Sequence, residues 1–230
     1  HKILINTSKG IEKDTHLLPH QIIASVLGDG IDYFSLIGPS FADEVVKKMP
    51  TLVNLGYRKK INHNNMQRLF QTDYFRVRLT TGIEALELSA AFKNIYAIAC
   101  GLADGMRYGV NTRIKLIVLA MEEMGGLFEK LHMKIDSNMT AGTMGDLLLT
   151  CNSTQSRNFS FGKLLAELPV DEALRKVEKT VEGYSSIGSL GHFKSKADVK
   201  LPLATFISEI VRTDNPKTVK KSFEQYVRRI

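Results

Sequence analysis

The sequence has only two cysteines, Cys100 and Cys151, and neither sits in a CxxC or Cys/His spacing that would suggest a metal site. Two isolated thiols suit a reducing compartment, so the cytoplasm is the expected location. No apolar run reaches the ~18 residues that a membrane-spanning helix requires, and no secretory signal opens the sequence. Internal repeats and low-complexity segments are also missing. The net charge of +7 comes from lysines and arginines scattered without aromatic interleaving. An anionic small molecule explains that charge as well as a nucleic acid does, and the small molecule is the preferred partner. With 43% hydrophobic residues, the 230-residue chain can bury one large core or two small ones.

What is present is organised around residues 86–109. Upstream, Thr81-Gly-Ile-Glu84 fits the capping box that satisfies a helix's first free N–H groups. At helical spacing Leu88, Ala91, Phe92, Ile95, Ala99 and Leu102 form one apolar face, while Ala90, Ala97, Cys100 and Gly101 form a face of small residues. A helix that is apolar or small nearly all round is a buried one. Lys93 lies on the small-residue face, where desolvation of its ammonium is costly. Two readings stay open: the side chain reaches the helix edge and is solvated, or it serves as a base or anion ligand in a cleft.

Before this helix the pattern alternates between strand and helix. Strands are predicted over 3–7, 33–37, 51–56 and 77–80, with helices over 19–27, 41–49 and 62–72. In such α/β sheets ligands sit beyond the carboxyl ends of strands, so Lys9 and the Gly38–Ala42 turn are expected to face one crevice. Ser40 is a candidate N-cap there. After Thr81 the pattern turns wholly helical. The span 111–131 carries Ile114, Ile117, Val118, Met121, Met124, Phe128 and Leu131 as a stripe assigned to the core. Further helices are predicted near 171–179, 203–212 and 216–229, the last capped by Asn215 with Pro216 at its first position. The expected division is therefore 1–81 and 82–230.

A second polar cluster lies between residues 142 and 158. Asp146 and Thr150, four apart on a short helix, share a face. The loop Ser153–Ser156 leads into a helix over 159–168 whose first turn would hold Arg157 and Asn158. An arginine fork beside free helix N–H groups suits a phosphate or carboxylate, although an ordinary capped start with a surface arginine reads the same way.

Lys9-Gly10-Ile11-Glu12, Gly38-Pro39-Ser40-Phe41-Ala42, Lys93-Asn94-Ile95, Gly145-Asp146-Leu147, Thr150-Cys151 and Ser156-Arg157-Asn158 occur together in one order. In that order and approximate spacing the chain resembles the NAD(P)-dependent glycerol-3-phosphate dehydrogenases, the bacterial type above all, from Ile3 to about Thr205. The resemblance implies an α/β part followed by an all-α part: the C-terminal portion of a Rossmann-type domain, then a helical substrate domain like the C-terminal domain of 6-phosphogluconate dehydrogenase. It also implies hydride transfer between NAD or NADP and sn-glycerol 3-phosphate, interconverting it with dihydroxyacetone phosphate and feeding phospholipid synthesis.

Residue by residue, the resemblance makes Lys93 the general base and acid, with Asp146 orienting it. Lys9 would reach both substrate and nicotinamide, and its charge would help lower the pKa of Lys93 while stabilising the developing alkoxide. Arg157 and Asn158 would clamp the phosphate, and Thr150 and Ser156 would add hydroxyl contacts. Gly38 and Ser40 would line the substrate side. Ala42 and Glu182, with Lys9 and Arg157, would face the cofactor. No metal is implied, and homodimerisation is a further family trait.

The family's opening strand and Gly-x-Gly-x-x-Gly pyrophosphate turn do not occur in this sequence, Met144 replaces a usual leucine, and Tyr184-Ser185-Ser186 lacks an arginine often found there. Two other readings fit the same residues. One is a related Rossmann-plus-helical dehydrogenase for a different hydroxy acid; the other is a non-catalytic helical module without the cofactor half.

Overall fold

Short runs rich in β-branched and aromatic residues form four strands in the computed structural model, which describes residues 2–28, 30–58 and 62–230. These are β1 (Ile3–Asn6), β2 (Asp32–Ile37), β3 (Thr51–Tyr57) and β4 (Phe75–Thr80), hydrogen-bonded in the order β1-β2-β3-β4. The pairs β1/β2 and β3/β4 are parallel, and β2/β3 is antiparallel. Each parallel pair needs a crossover. Helices α1 (Pro19–Leu27) and α3 (His63–Phe70) supply them, while α2 (Ala42–Val46) joins the antiparallel pair. Phe34, Val53, Leu55, Tyr57 and Val77 form the buried core of the sheet, covered by Met66 and Phe70 from α3.

By residue contacts the chain falls into two units, residues 1–91 with 128–147 and residues 92–127 with 148–230. The helices are α4 (Ile83–Gly105), α5 (Val110–Lys130), α6 (Asp146–Cys151), α7 (Arg157–Leu164), α8 (Val170–Val177), α9 (Glu182–Ser186), α10 (Leu190–Ala197), α11 (Pro202–Ile210) and α12 (Pro216–Arg229). A 3-10 turn (Ser137–Thr140) and a π-helical turn (Ala141–Gly145) precede α6. Polar anchors hold 128–147 in the sheet unit. The Asn54 amide donates to the carbonyls of Asn138 at 2.7 Å and Arg78 at 3.2 Å, and its Oδ1 accepts from the Gly142 N–H at 2.7 Å. Thr80 donates to Asp136 Oδ2 at 2.6 Å. A cut at residue 81 marks where the strands end, whereas the contact division follows these anchors.

The helical unit is built on the small-residue face of α4. A Cβ at Gly101 would collide with the Phe159 carbonyl, so the absence of a side chain there lets the α7 backbone lie directly on α4. Leu88, Phe92, Ile95, Ala99 and Leu102 are fully buried, as are Ala90, Ala97 and Cys100 on the other face. Glu123, also buried, accepts from the Tyr96 hydroxyl at 3.0 Å and from the N–H groups of Leu203 and Ala204 that open α11. Burial raises its pKa, with the two backbone N–H bonds acting in the opposite direction.

Several expectations need correction. The α5 stripe is only partly core: Ile117, Met124 and Phe128 are buried, but Ile114, Val118 and Met121 are exposed, together with Val110. Its apolar positions cover two adjacent helix faces, and one of them turns outward. Ser40 does not cap α2. Its hydroxyl donates to the Gly38 carbonyl at 3.2 Å, and Phe41 occupies the cap position. That helix stops at Val46, earlier than expected, because Lys48 takes a left-handed conformation and Met49 precedes Pro50. Thr80 is buried on its bond to Asp136, while Arg76 and Arg78, on the same face of β4, are exposed. Helices α9 and α10 were not anticipated at all.

Candidate functional site

In the sheet unit, parallel pairing of β1 and β2 brings both carboxyl ends to the same edge, so Lys9 and Gly38–Ala42 follow from that edge. The Asn6 side chain closes the turn after β1, accepting from the Ser8 N–H at 3.0 Å and donating to the Ser8 carbonyl at 2.9 Å. Lys9 comes next. Its Nζ donates to Asp146 Oδ2 at 2.8 Å, and Asp146 is buried at the first turn of α6, where the helix dipole favours a carboxylate. The aspartate that the resemblance assigns to Lys93 thus makes an ion pair with Lys9. Beyond β1 a cavity of about 340 Å³ is lined by Asn6, Lys9, Gly10 and Ile11 and, on α1, by Ile22 and Ile23.

A second polar cluster in this unit was not foreseen. Glu87, buried on α4, accepts from the Tyr33 hydroxyl at 2.7 Å and from the His20 N–H at 3.1 Å, and lies 2.7 Å from His20 Nδ1. Burial and then the Glu87 charge raise the Tyr33 hydroxyl's pKa. These bonds tie the start of α4 to α1 and β2. The signal for it was a glutamate between Leu86 and Leu88 on an otherwise apolar helix, just as Asn54 stood out inside an apolar strand.

In the helical unit, Lys93 is 4% exposed, which rules out the solvated reading. Its Nζ donates to Thr150 Oγ1 at 2.5 Å, and Thr150 is equally buried. Ser156 caps α7 by accepting from the Phe159 N–H at 3.3 Å, so Arg157 and Asn158 do stand in the first helical turn. Asn158 is buried, and its Oδ1 accepts from the Gly183 N–H at 2.8 Å. Glu182, at the start of α9, accepts from Asn94 Nδ2 at 3.0 Å and from Arg157 NH2 at 3.1 Å. Lys93, Thr150, Ser156, Arg157, Asn158 and Glu182 therefore belong to one packed unit, and Lys9, Gly38, Ser40, Ala42 and Asp146 to the other. Asn94 appeared in the sequence only as part of a motif; the contact that gives it a role is long-range.

A strand–helix sheet unit and a helical unit that buries a lysine make an α/β-plus-all-α chain. Family models for the N-terminus and the C-terminus of NAD-dependent glycerol-3-phosphate dehydrogenase match residues 1–63 and 83–221, and the chain belongs to that family. It is 37% identical over 204 residues to a glycerol-3-phosphate dehydrogenase (NAD(P)+) of Francisella philomiragia, covering 88% of this chain and 61% of that protein. Over 220 residues it is 36% identical to the enzyme of the same name from Staphylococcus haemolyticus, covering 94% and 66%. Among solved structures it superposes on glycerol-3-phosphate dehydrogenase from Coxiella burnetii with a TM-score of 0.88 at 28% identity, covering 97% of this chain and 68% of that one. The chain thus spans less than two thirds of the length of these two curated relatives.

Proposed function

We propose that the protein interconverts sn-glycerol 3-phosphate and dihydroxyacetone phosphate with NAD or NADP. The observation that carries this reading is the buried Lys93 with its bond to Thr150, in the same unit as an arginine and a buried asparagine at the capped start of α7. Lys93 takes the proton from the C2 hydroxyl in oxidation and returns it in reduction, oriented through Thr150 and with Asp146 as the family-implied partner. Arg157 and Asn158 hold the phosphate, with Ser156 fixing the helix start beneath them. Lys9 supplies positive charge to the developing alkoxide, and Gly38 and Ser40 line the substrate. Residues 1–81 form the C-terminal part of a dinucleotide-binding domain and residues 82–230 the helical substrate and catalytic domain.

Hydride exchange at C2 is the chemistry that a bound nicotinamide cofactor supplies. The cavity after β1, with an apolar wall from Ile22 and Ile23 and one ammonium from Lys9, fits the nicotinamide end of such a group. The sequence holds no glycine-rich turn for the pyrophosphate. Lys9, Ala42, Arg157 and Glu182 are the residues assigned to the cofactor side.

The reading extends to a cytoplasmic homodimer. The reduced, buried Cys100 and Cys151 support the compartment, and among the described residues no helix is long and apolar enough to cross a membrane. The exposed α5 row Val110, Ile114, Val118 and Met121 supports the dimer. The test is NADH or NADPH oxidation by the full-length protein on addition of dihydroxyacetone phosphate. Turnover is expected with at least one cofactor, and no turnover with either overturns the reading.

A further inference from the structure

We infer that Glu182 is a positioning residue for the phosphate clamp, bracing Arg157 against the helix that carries Lys93; the inference rests on the function proposed above. The carboxylate is held at both oxygens. Oε2 accepts from Asn94 Nδ2 at 3.0 Å, and Asn94 is buried next to Lys93 on α4. Oε1 accepts from Arg157 NH2 at 3.1 Å. Only one arm of the guanidinium is used in that ion pair, so the remaining N–H donors of the fork stay available to an anion.

The backbone beneath the glutamate is equally constrained. A Cβ at Gly183 would collide with the Asn94 carbonyl and come within 2.9 Å of Asn158 Oδ1. The start of α9 is therefore wedged between α4 and α7, and only glycine fits there. Its N–H takes the acceptor end of the Asn158 amide at 2.8 Å, which fixes that side chain's rotation and leaves the donor end, Nδ2, for a ligand. The first turn of α9 thus sets the orientation of both clamp residues, the arginine through a side chain and the asparagine through a backbone N–H. It also ties them to the residue adjoining the buried lysine. A half-exposed arginine without such a brace would sample many rotamers and give up entropy on binding.

The consequence falls chiefly on phosphate affinity. In the full-length protein, Glu182→Gln keeps size and shape but removes the charge that holds Arg157. It is expected to raise the KM for glycerol 3-phosphate about tenfold, the order of one charged hydrogen bond, and by more than it raises the KM for the nicotinamide cofactor. Glu182→Asp, which keeps the charge, should recover part of the loss and serves if the glutamine variant folds poorly. In an Arg157→Ala background, Glu182→Gln should add less than about twofold, because the group it positions is gone. An unchanged KM for glycerol 3-phosphate in Glu182→Gln, or full additivity of the two changes, overturns the brace. If Arg157→Ala itself leaves that KM unchanged, the clamp assignment fails and the brace with it. A silent Glu182→Gln beside an impaired Arg157→Ala overturns the brace alone.

Discussion

Lys9 and Lys93 are both assigned to the chemistry, yet the two units hold them in opposite ways. Lys9 follows a strand on a polar turn, its side chain 23% exposed, with its ammonium on the Asp146 carboxylate at 2.8 Å. Lys93 sits in mid-helix at 4% exposure and donates to a neutral hydroxyl at 2.5 Å. Sheet topology sets the first position: two parallel strands deliver their carboxyl ends to one edge whatever the turn residues are. Close packing sets the second, since glycine and alanine on α4 bring α7 and its clamp onto the helix. Lys93 is thus a buried lysine beside the Thr150 hydroxyl, the position proposed for the proton-transferring group.

The strongest way to break this contrast is to remove the buried lysine. Lys93→Ala in the full-length protein should lower kcat by roughly 10²–10⁴, the usual worth of a positioned acid–base group, with a smaller change in substrate KM. Steady-state kinetics decide it. A variant that keeps more than about a third of the wild-type kcat removes Lys93 from that role and with it the functional difference between the two lysines.

A smaller effect concerns the helical unit's other buried charge. The pKa of Glu123 is raised in the folded protein by burial, so between the ordinary carboxylate value and the raised one the folded state binds more protons than the unfolded chain. Stability from this group is present below the ordinary value and is lost as pH rises through the raised one. As pH rises above the ordinary carboxylate range, the thermal midpoint of the wild type should therefore fall more than that of Glu123→Gln. Parallel curves would show that the Leu203 and Ala204 N–H groups fully offset the burial.

The same contrast explains what was legible in the sequence. Elements with strict periodicity or explicit punctuation emerged with their observed types: α1 with Pro19 at its start, α12 with Asn215 accepting from Lys217 and Thr218, and α4 with both faces apolar. The family motifs led to Lys9, Lys93, Asp146 and Arg157 because each is a short local string. Long-range partners were invisible. Nothing local announces that Glu182 meets residues 88 and 25 positions away, or that Asn54 reaches Asn138 and Gly142. The outward turn of Ile114, Val118 and Met121 was hidden for a related reason, since periodicity gives a stripe but not the fraction of it that another element covers.

The account's central claim is that the start of α7 recognises a phosphate. Measuring kcat/KM for dihydroxyacetone phosphate and for dihydroxyacetone, in wild type and in Arg157→Ala, tests it most directly. The substitution should cost about 1.5–3 kcal/mol with the phosphorylated substrate, the range for charged hydrogen bonds, and barely alter the rate with the unphosphorylated one. An equal loss for both would contradict the claim.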